Sequence, residues 1–309
     1  MPTLNSIART AILAAAHNRG TEALVNRFGM RLGAARFVAG ETLEQELQLL
    51  RRLTQQGFKC NATELGEAVT SQEDADGAVS DYQELLQRIA AERLNASVAI
   101  KLTLMGQDIE AQLALENMSR LLRIASELGL FMRLDMENSA HVEGTLTTYR
   151  QLRQAGFDNI GCVLQSCLRR SAQDLEELLP LGLNLRLVKG AYLEPASIAY
   201  TRKTDVDANY VRLLDRALCA GKYTAVATHD PRMIEHTVNF TAAHGIGPDR
   251  FEFQMLYGVR PQLQRQLLQR GYTVLVATSY GSHWYPFFMR RLAERPANLL
   301  FLARSLMHT

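Results

Sequence analysis

The chain has 309 residues, 47% of them hydrophobic, and its 34 basic and 32 acidic side chains leave a formal charge of +2. That length buries a large core and admits one barrel domain with an appendage, while charge mixed along the whole length gives no field to hold a nucleic-acid backbone. Cys60, Cys162, Cys167 and Cys219 form no Cys-x-x-Cys pair and read as reduced thiols of a cytoplasmic protein, and the short apolar stretch 7–16 has neither the length of a membrane span nor a leader pattern.

Residues 1–57 are helical in pattern and are expected to form an N-terminal extension packed on the wall or floor of the main domain. Short runs rich in Val, Ile, Leu and Phe then recur at 58–65, 98–103, 131–137, 160–165, 185–190, 224–229, 251–256 and 273–279. Helical patterns fill the gaps, as at 109–128 and 209–220. Parallel neighbours need a crossover helix each time, so this alternation predicts a TIM-like (β/α)8 barrel over residues 58–309. A doubly wound open sheet is the rival fold, but no Gly-x-Gly-x-x-Gly follows the first strand, which weakens a Rossmann-type nicotinamide site. Beyond the eighth strand, residues 284–296 read as a helix carrying the adjacent pair Arg290-Arg291. Two neighbouring guanidiniums repel each other unless carboxylates neutralise them, so the pair invites a carboxylate-bearing guest.

Polar residues collect where the apolar strands end: Glu67, Lys101, Asp135, Glu137, Gln165, Arg186, Lys189, Thr228, His229 and Gln254. In barrels of this kind that rim carries the chemistry. Any one of these residues alone fits a structural ion pair; together they describe a binding rim. Lys101 with Arg290 and Arg291 can surround one small carboxylate. Gln165, Arg186, Thr228 and His229 are donors suited to the edges or phosphates of a flavin. Thr201-Arg202-Lys203 suits a diphosphate, or is simply a solvated basic loop. A lone strand-end histidine such as His229 is ordinarily a hydrogen-bonded structural residue, and no second ligand stands at metal-binding spacing, so no metal is expected. No Gly-x-Ser-x-Gly or partnered cysteine argues for a covalent nucleophile.

These residues resemble the flavin-dependent proline dehydrogenases, in particular the monofunctional bacterial type. The matching pieces stand in the family's order: Leu65-Gly-Glu67, Ile100-Lys101-Leu102, Leu134-Asp135-Met-Glu137, Leu164-Gln165, Arg186-Leu-Val-Lys189-Gly190-Ala191-Tyr192, Tyr200-Thr201-Arg202-Lys203, Ala227-Thr228-His229, Glu252-Phe253-Gln254-Met-Leu256-Tyr-Gly258 and Arg290-Arg291-Leu-Ala-Glu294. The resemblance implies a distorted barrel with FAD across the strand ends and a last helix over the mouth. Lys101, Arg290 and Arg291 would then hold the carboxylate of a cyclic imino acid, proline. Tyr192 and Leu256 would pack on its ring, Asp135 would stand near Lys101 and the flavin, and Glu67 would close with Arg290 as a gate. The family's FAD positions fall on Gln165, Arg186, Val188, Gly190, Ala191, Thr201, Lys203, Thr228, His229 and Glu294. Hydride would pass from ring carbon C5 to flavin N5, giving 1-pyrroline-5-carboxylate. Reduced flavin would then pass electrons to a quinone during a peripheral visit to the inner membrane. The chain leaves no room for an aldehyde dehydrogenase domain, so a separate pyrroline-5-carboxylate dehydrogenase is expected downstream.

Some positions depart from the family pattern. Ala277 stands where the proline oxidisers usually place a ring-contacting tyrosine, and Phe287 where tyrosine is frequent. Ala277 leaves room beside ring carbon four, which raises 4-hydroxyproline or a related imino acid as an alternative substrate, with Tyr280 a candidate replacement for the missing ring. Thr63 replaces an aspartate near the gate, Leu193 a tryptophan and Asp230 an asparagine. A bare Asp230 beside a phosphate would weaken cofactor retention. A carboxylate-binding barrel without turnover is the remaining reading, and the altered pocket is its only support.

Overall fold

Eight parallel strands close on themselves in sequence order: β1 (Lys59–Glu64), β2 (Ala96–Ile100), β3 (Met132–Leu134), β4 (Ile160–Gln165), β5 (Asn184–Val188), β6 (Tyr223–Ala227), β7 (Phe251–Leu256) and β8 (Val274–Tyr280), with β8 paired back to β1. They belong to a computed structural model that describes residues 36–66, 68–285, 288 and 289. Glu67, Phe287, Arg290, Arg291 and Glu294 lie outside the described residues, as do residues 1–35.

The helices are α1 (Leu43–Gln55), α2 (Gln72–Ala91), α3 (Ala111–Glu127), α4 (Ser139–Gln154), α5 (Ser171–Leu178), α6 (Lys203–Ala220), α7 (Pro231–Ala243) and α8 (Pro261–Gln269). Thr42, Ser71, Asn138 and Asp230 accept a first-turn backbone N–H at the starts of α1, α2, α4 and α7. Each satisfies a donor that the helix itself leaves unpaired. α1 precedes the first strand yet packs on β1 and β8 through Leu47, Leu49, Leu50 and Leu53, all buried. It therefore covers the seam that a strict strand–helix cycle would assign to the helix after β8.

The strand ends depart furthest from expectation at β2 and β3, for one physical reason, while β5 and β6 stop two residues short, at Val188 and Ala227. β2 stops at Ile100, and Leu102–Met105 turns into a short 3-10 helix. β3 spans only Met132–Leu134. Just past these ends, side-chain pairs replace the ladder: Thr103 Oγ1 donates to Glu137 Oε2 at 3.0 Å, Asp135 accepts from Arg186, and Asn138 caps α4.

Inside the barrel the side chains are partly polar. Arg186 Nε donates to Gln254 Oε1 at 2.5 Å, Gln254 Nε2 to Glu252 Oε1 at 2.6 Å, and Tyr223 Oη to Glu252 Oε2 at 3.0 Å. Lys59 Nζ lies 3.6 Å from the same carboxylate. Lys59 and Tyr223 open their strands, and Arg186, the middle residue of β5 and not a strand-end one as expected, reaches Asp135 just past the end of β3, so this column runs from floor to mouth. Arg133 lies beside it and donates to Asn184 Oδ1 at 2.7 Å and to the Cys162 carbonyl at 3.2 Å. Burial, and then the nearby Arg186 charge, lower the Arg133 pKa to about 10.

Candidate active site

Arg186 is the fixed point of the mouth. Besides Gln254, it donates from Nη1 to Asp135 Oδ1 at 2.6 Å and from Nη2 to Asn61 Oδ1. Partners on β1, β7 and the segment after β3 thus hold all three guanidinium nitrogens, which makes it a rigid cation with an N–H to spare on each Nη. Asn61 is fully buried, and its Nδ2 has no partner among the described residues. An orphaned donor beside an anchored guanidinium marks a place that accepts a polar guest.

Asp135 was expected near Lys101, and the chain does run that way: the Asp135 N–H donates to the Ile100 carbonyl at 2.8 Å. Its carboxylate, however, is engaged by Arg186. Lys101 follows β2 directly and donates from Nζ to the Gly66 carbonyl at 3.2 Å, in the segment that leads to Glu67. Gln165, 2% exposed, donates from Nε2 to the Glu137 carbonyl at 2.7 Å and so bridges the ends of β3 and β4.

His229 Nε2 accepts the Leu256 N–H at 2.9 Å. In the neutral ring this leaves the proton on Nδ1, so His229 acts as a donor and its Nε2 is occupied rather than free to act as a base. Val188, Gly190, Ala191 and Tyr192 follow in one run off β5. At Gly190 the backbone itself demands a glycine. Its φ is +105°, and a Cβ there would lie 2.3 Å from Cys167 Sγ.

A second cluster gathers after β5 and β6. Lys189 Nζ lies 2.6 Å from Asp207 Oδ1 and 3.1 Å from Asp230 Oδ2, Arg232 Nη2 lies 3.1 Å from Asp230 Oδ2, and Lys203 pairs with Asp207. Among the described residues this sets three cations against two carboxylates, a net positive patch at the start of α7 beside Thr228, whose Oγ1 accepts the Asp230 N–H at 3.1 Å. Asp230 was expected to weaken the hold on a phosphate. The structure gives it other work: it caps α7, and although partial burial opposes this, hydrogen bonds from Arg232 and Lys189 keep its carboxyl well below the usual range. Thr201 is exposed just ahead of α6.

Ala277 is half-buried on the inner face of β8, level with Asn61 of β1 and Leu256 of β7. Thr63, two residues on from Asn61 and so on the same face, pairs in register with Ser279. Tyr280 cannot replace a ring at position 277, because residues three apart on a strand face opposite ways. It is 4% exposed and bonded to Glu64 on the outer side, where burial and then the nearby Asp81 push the Glu64 carboxyl up to about 7. Leu193 is 67% exposed in the loop after β5.

Sequence reasoning missed Asn61 and Asp207. Asn61 left a faint signal, an amide in the middle of an apolar strand; Asp207 lies on a helix face that reads as solvated. No group of His, Cys, Asp and Glu suited to a metal occurs among the described residues, nor does any helix there have the length and apolarity to cross a membrane.

The family model described as proline dehydrogenase matches residues 47–304. The chain is 39% identical over 299 residues to proline dehydrogenase 1 of Bacillus subtilis, covering 97% of this chain and 99% of that protein. It is 42% identical over 308 residues to the proline dehydrogenase of Deinococcus radiodurans, covering 98% and 99%. The bifunctional protein PutA of Salmonella typhimurium is 26% identical over 89% of this chain, which spans 24% of that protein. Among solved structures, proline utilization A from Bdellovibrio bacteriovorus, inactivated by N-propargylglycine, superposes with a TM-score of 0.82 at 23% identity, over 96% of this chain and 37% of that one. That likeness establishes the barrel fold.

Proposed function

The chain belongs to the proline dehydrogenase family, and from that membership we propose that it oxidises L-proline to 1-pyrroline-5-carboxylate with FAD as the electron acceptor at the barrel mouth. The observation that carries the reading is the identity of 39% and 42% to proline dehydrogenases over nearly the full chain. The donor set fits a flavin dinucleotide. Arg186 and the orphaned Asn61 amide offer N–H groups at the mouth, and the net positive cluster at the start of α7 suits a diphosphate.

Gln165, Arg186, Val188, Gly190, Ala191, Thr201, Lys203, Thr228, His229 and Glu294 would hold the cofactor. Bound FAD supplies a two-electron acceptor for the hydride that leaves C5. The chain's own residues do the rest. Lys101, Arg290 and Arg291 take the carboxylate, and Tyr192 and Leu256 bracket the ring so that C5 is held in line. Asp135, held by Arg186, offsets the positive charge that gathers at the mouth. Glu67 pairs with Arg290 to shut out water. No side chain is needed as a strong base if proline binds with a neutral amine, because the nitrogen lone pair forms the C=N bond as hydride departs. This agrees with His229 having its Nε2 taken by Leu256.

A quinone reached by a peripheral visit to the membrane would be the electron acceptor that completes turnover, and a pyrroline-5-carboxylate dehydrogenase would consume the product after hydrolysis to the semialdehyde. The half-buried inner position of Ala277 favours a second, narrower reading in which a 4-hydroxylated ring is also accepted.

Anaerobic titration of the purified yellow protein, followed at the flavin absorbance, tests both readings. L-Proline should bleach the band stoichiometrically, and a band that persists would refute the assignment. trans-4-Hydroxyproline should bleach it too, less so in Ala277→Tyr; an unchanged strong preference for proline in that variant would remove the second reading.

A further inference from the structure

The segment that leads into the arginine pair starts on a seat built by residues upstream of α1. Gly40 forms a parallel bridge with Tyr280, the Ala39 N–H donates to the Ser279 carbonyl at 2.8 Å, and the Gly281 N–H donates to the Gly40 carbonyl at 3.1 Å. Residues 36–41 thus run beside the end of β8. On this arm Phe37 lies 6.4 Å from Phe288, which in turn meets Trp284 edge-on at 5.8 Å. The Trp284 Nε1–H donates to Glu41 Oε1 at 2.9 Å, and Trp284 is 1% exposed. At the far end the arm lies against Gly258, where φ is +75° and a Cβ would sit 1.8 Å from the Arg36 carbonyl oxygen. The glycine that ends the β7 motif is therefore what lets the arm pass.

Glu41 does not float. Gln45, the third residue of α1, turns back so that its Oε1 accepts the Glu41 N–H at 2.7 Å and the Thr42 N–H at 3.2 Å, while Thr42 caps the same turn. A helix cap fixes the Glu41 backbone, Glu41 fixes a buried indole, and Arg290 follows that indole by six residues in the sequence (290 − 284 = 6). A buried indole N–H needs an acceptor, and here it receives a carboxylate delivered by a capped helix that also closes the barrel wall.

We propose that Glu41 and Trp284 are positioning residues for substrate: their hydrogen bond sets the entry of the segment bearing Arg290 and Arg291, so residues 36–41, upstream of the matched family range 47–304, tune the grip on the substrate carboxylate. The inference rests on the proposed role of the arginine pair in holding that carboxylate. A misaligned pair weakens binding of the acid group while leaving the chemistry at C5 intact, so the effect falls on KM.

The test uses the FAD-loaded full chain and compares L-proline kinetics with the inhibition constant of L-prolinamide, which keeps the ring but lacks the carboxylate. Glu41→Ala and Trp284→Phe should each raise the KM for proline about tenfold, with kcat changed less than about twofold, the pattern of lost binding rather than lost transition-state stabilisation. The double variant should be no worse than either single one. Glu41→Gln, whose Oε1 still accepts the indole N–H, should stay near wild type. The prolinamide constant and the FAD dissociation constant should not move. Equal changes for proline and prolinamide, or no change in Glu41→Ala, overturn the inference. Should Trp284→Phe fold poorly, the exposed Glu41 still decides the matter. A wild-type enzyme that binds prolinamide as tightly as proline would instead refute the carboxylate role of the arginines, and the inference with it.

Discussion

Glu46 is a carboxyl in the wrong place for a charge. It sits on α1, fully buried against β8, with Thr278 Oγ1 donating to its Oε1 and no partner for its Oε2 among the described residues. Burial outweighs the opposing Thr278 hydrogen bond and pushes the carboxyl up to about 8 from an ordinary value of 4.5. The folded state therefore binds a proton that the unfolded state has released over this interval. Stability drawn from the protonated Glu46 is full below pH 4.5, falls as pH rises, and is gone above pH 8. Glu46→Gln, which cannot ionise, should be more stable than wild type at pH 9 by on the order of a few kcal/mol, with a smaller difference at pH 5. Urea midpoints at the two pH values measure this, and parallel pH dependence in both proteins would show that Glu46 is not the titrating group.

At the scale of elements, α1 decides whether the barrel closes. Its leucine face lies on β1 and β8, so Leu50→Ala, at a side chain with 0% exposure, should cost about 2 to 5 kcal/mol. A thermal midpoint within a degree of wild type would mean that the seam is covered by something else. The amphipathic pattern of this helix was legible in the sequence; which seam it covers was not, because periodicity gives a face and not its partner. The strands were legible as apolar runs with helices between them. The ends of β2 and β3 were overextended because the sequence cannot show where a rim side chain takes over from the ladder, as Glu137 does with Thr103. Rim positions such as Gln165, the last residue of β4, were legible for the same reason that the strands were. The partners of Arg186 were not, since Asn61, Gln254 and Asp135 stand 125, 68 and 51 residues away. Tyr280 was misjudged although strand alternation alone excludes it from the inner face.

At the scale of the whole molecule, the long-range ties couple parts that sequence order separates. The interior column joins β1, β5, β6 and β7, α1 bridges the first and last strands, and the arm ahead of α1 reaches Trp284 beyond β8. A structure tied in this way should lose its parts together. The chain holds one tryptophan, Trp284, at the outermost of these ties. Its emission therefore reports the arm, while far-UV circular dichroism reports the barrel's helices and strands. The two should trace the same urea transition with the same midpoint and the same slope. An indole signal that shifts at lower urea than the dichroism would mean that the arm opens before the wall gives way. In that case the Glu41–Trp284 hydrogen bond is a latch that works independently of the barrel, and substrate affinity should decline across that early transition while secondary structure persists.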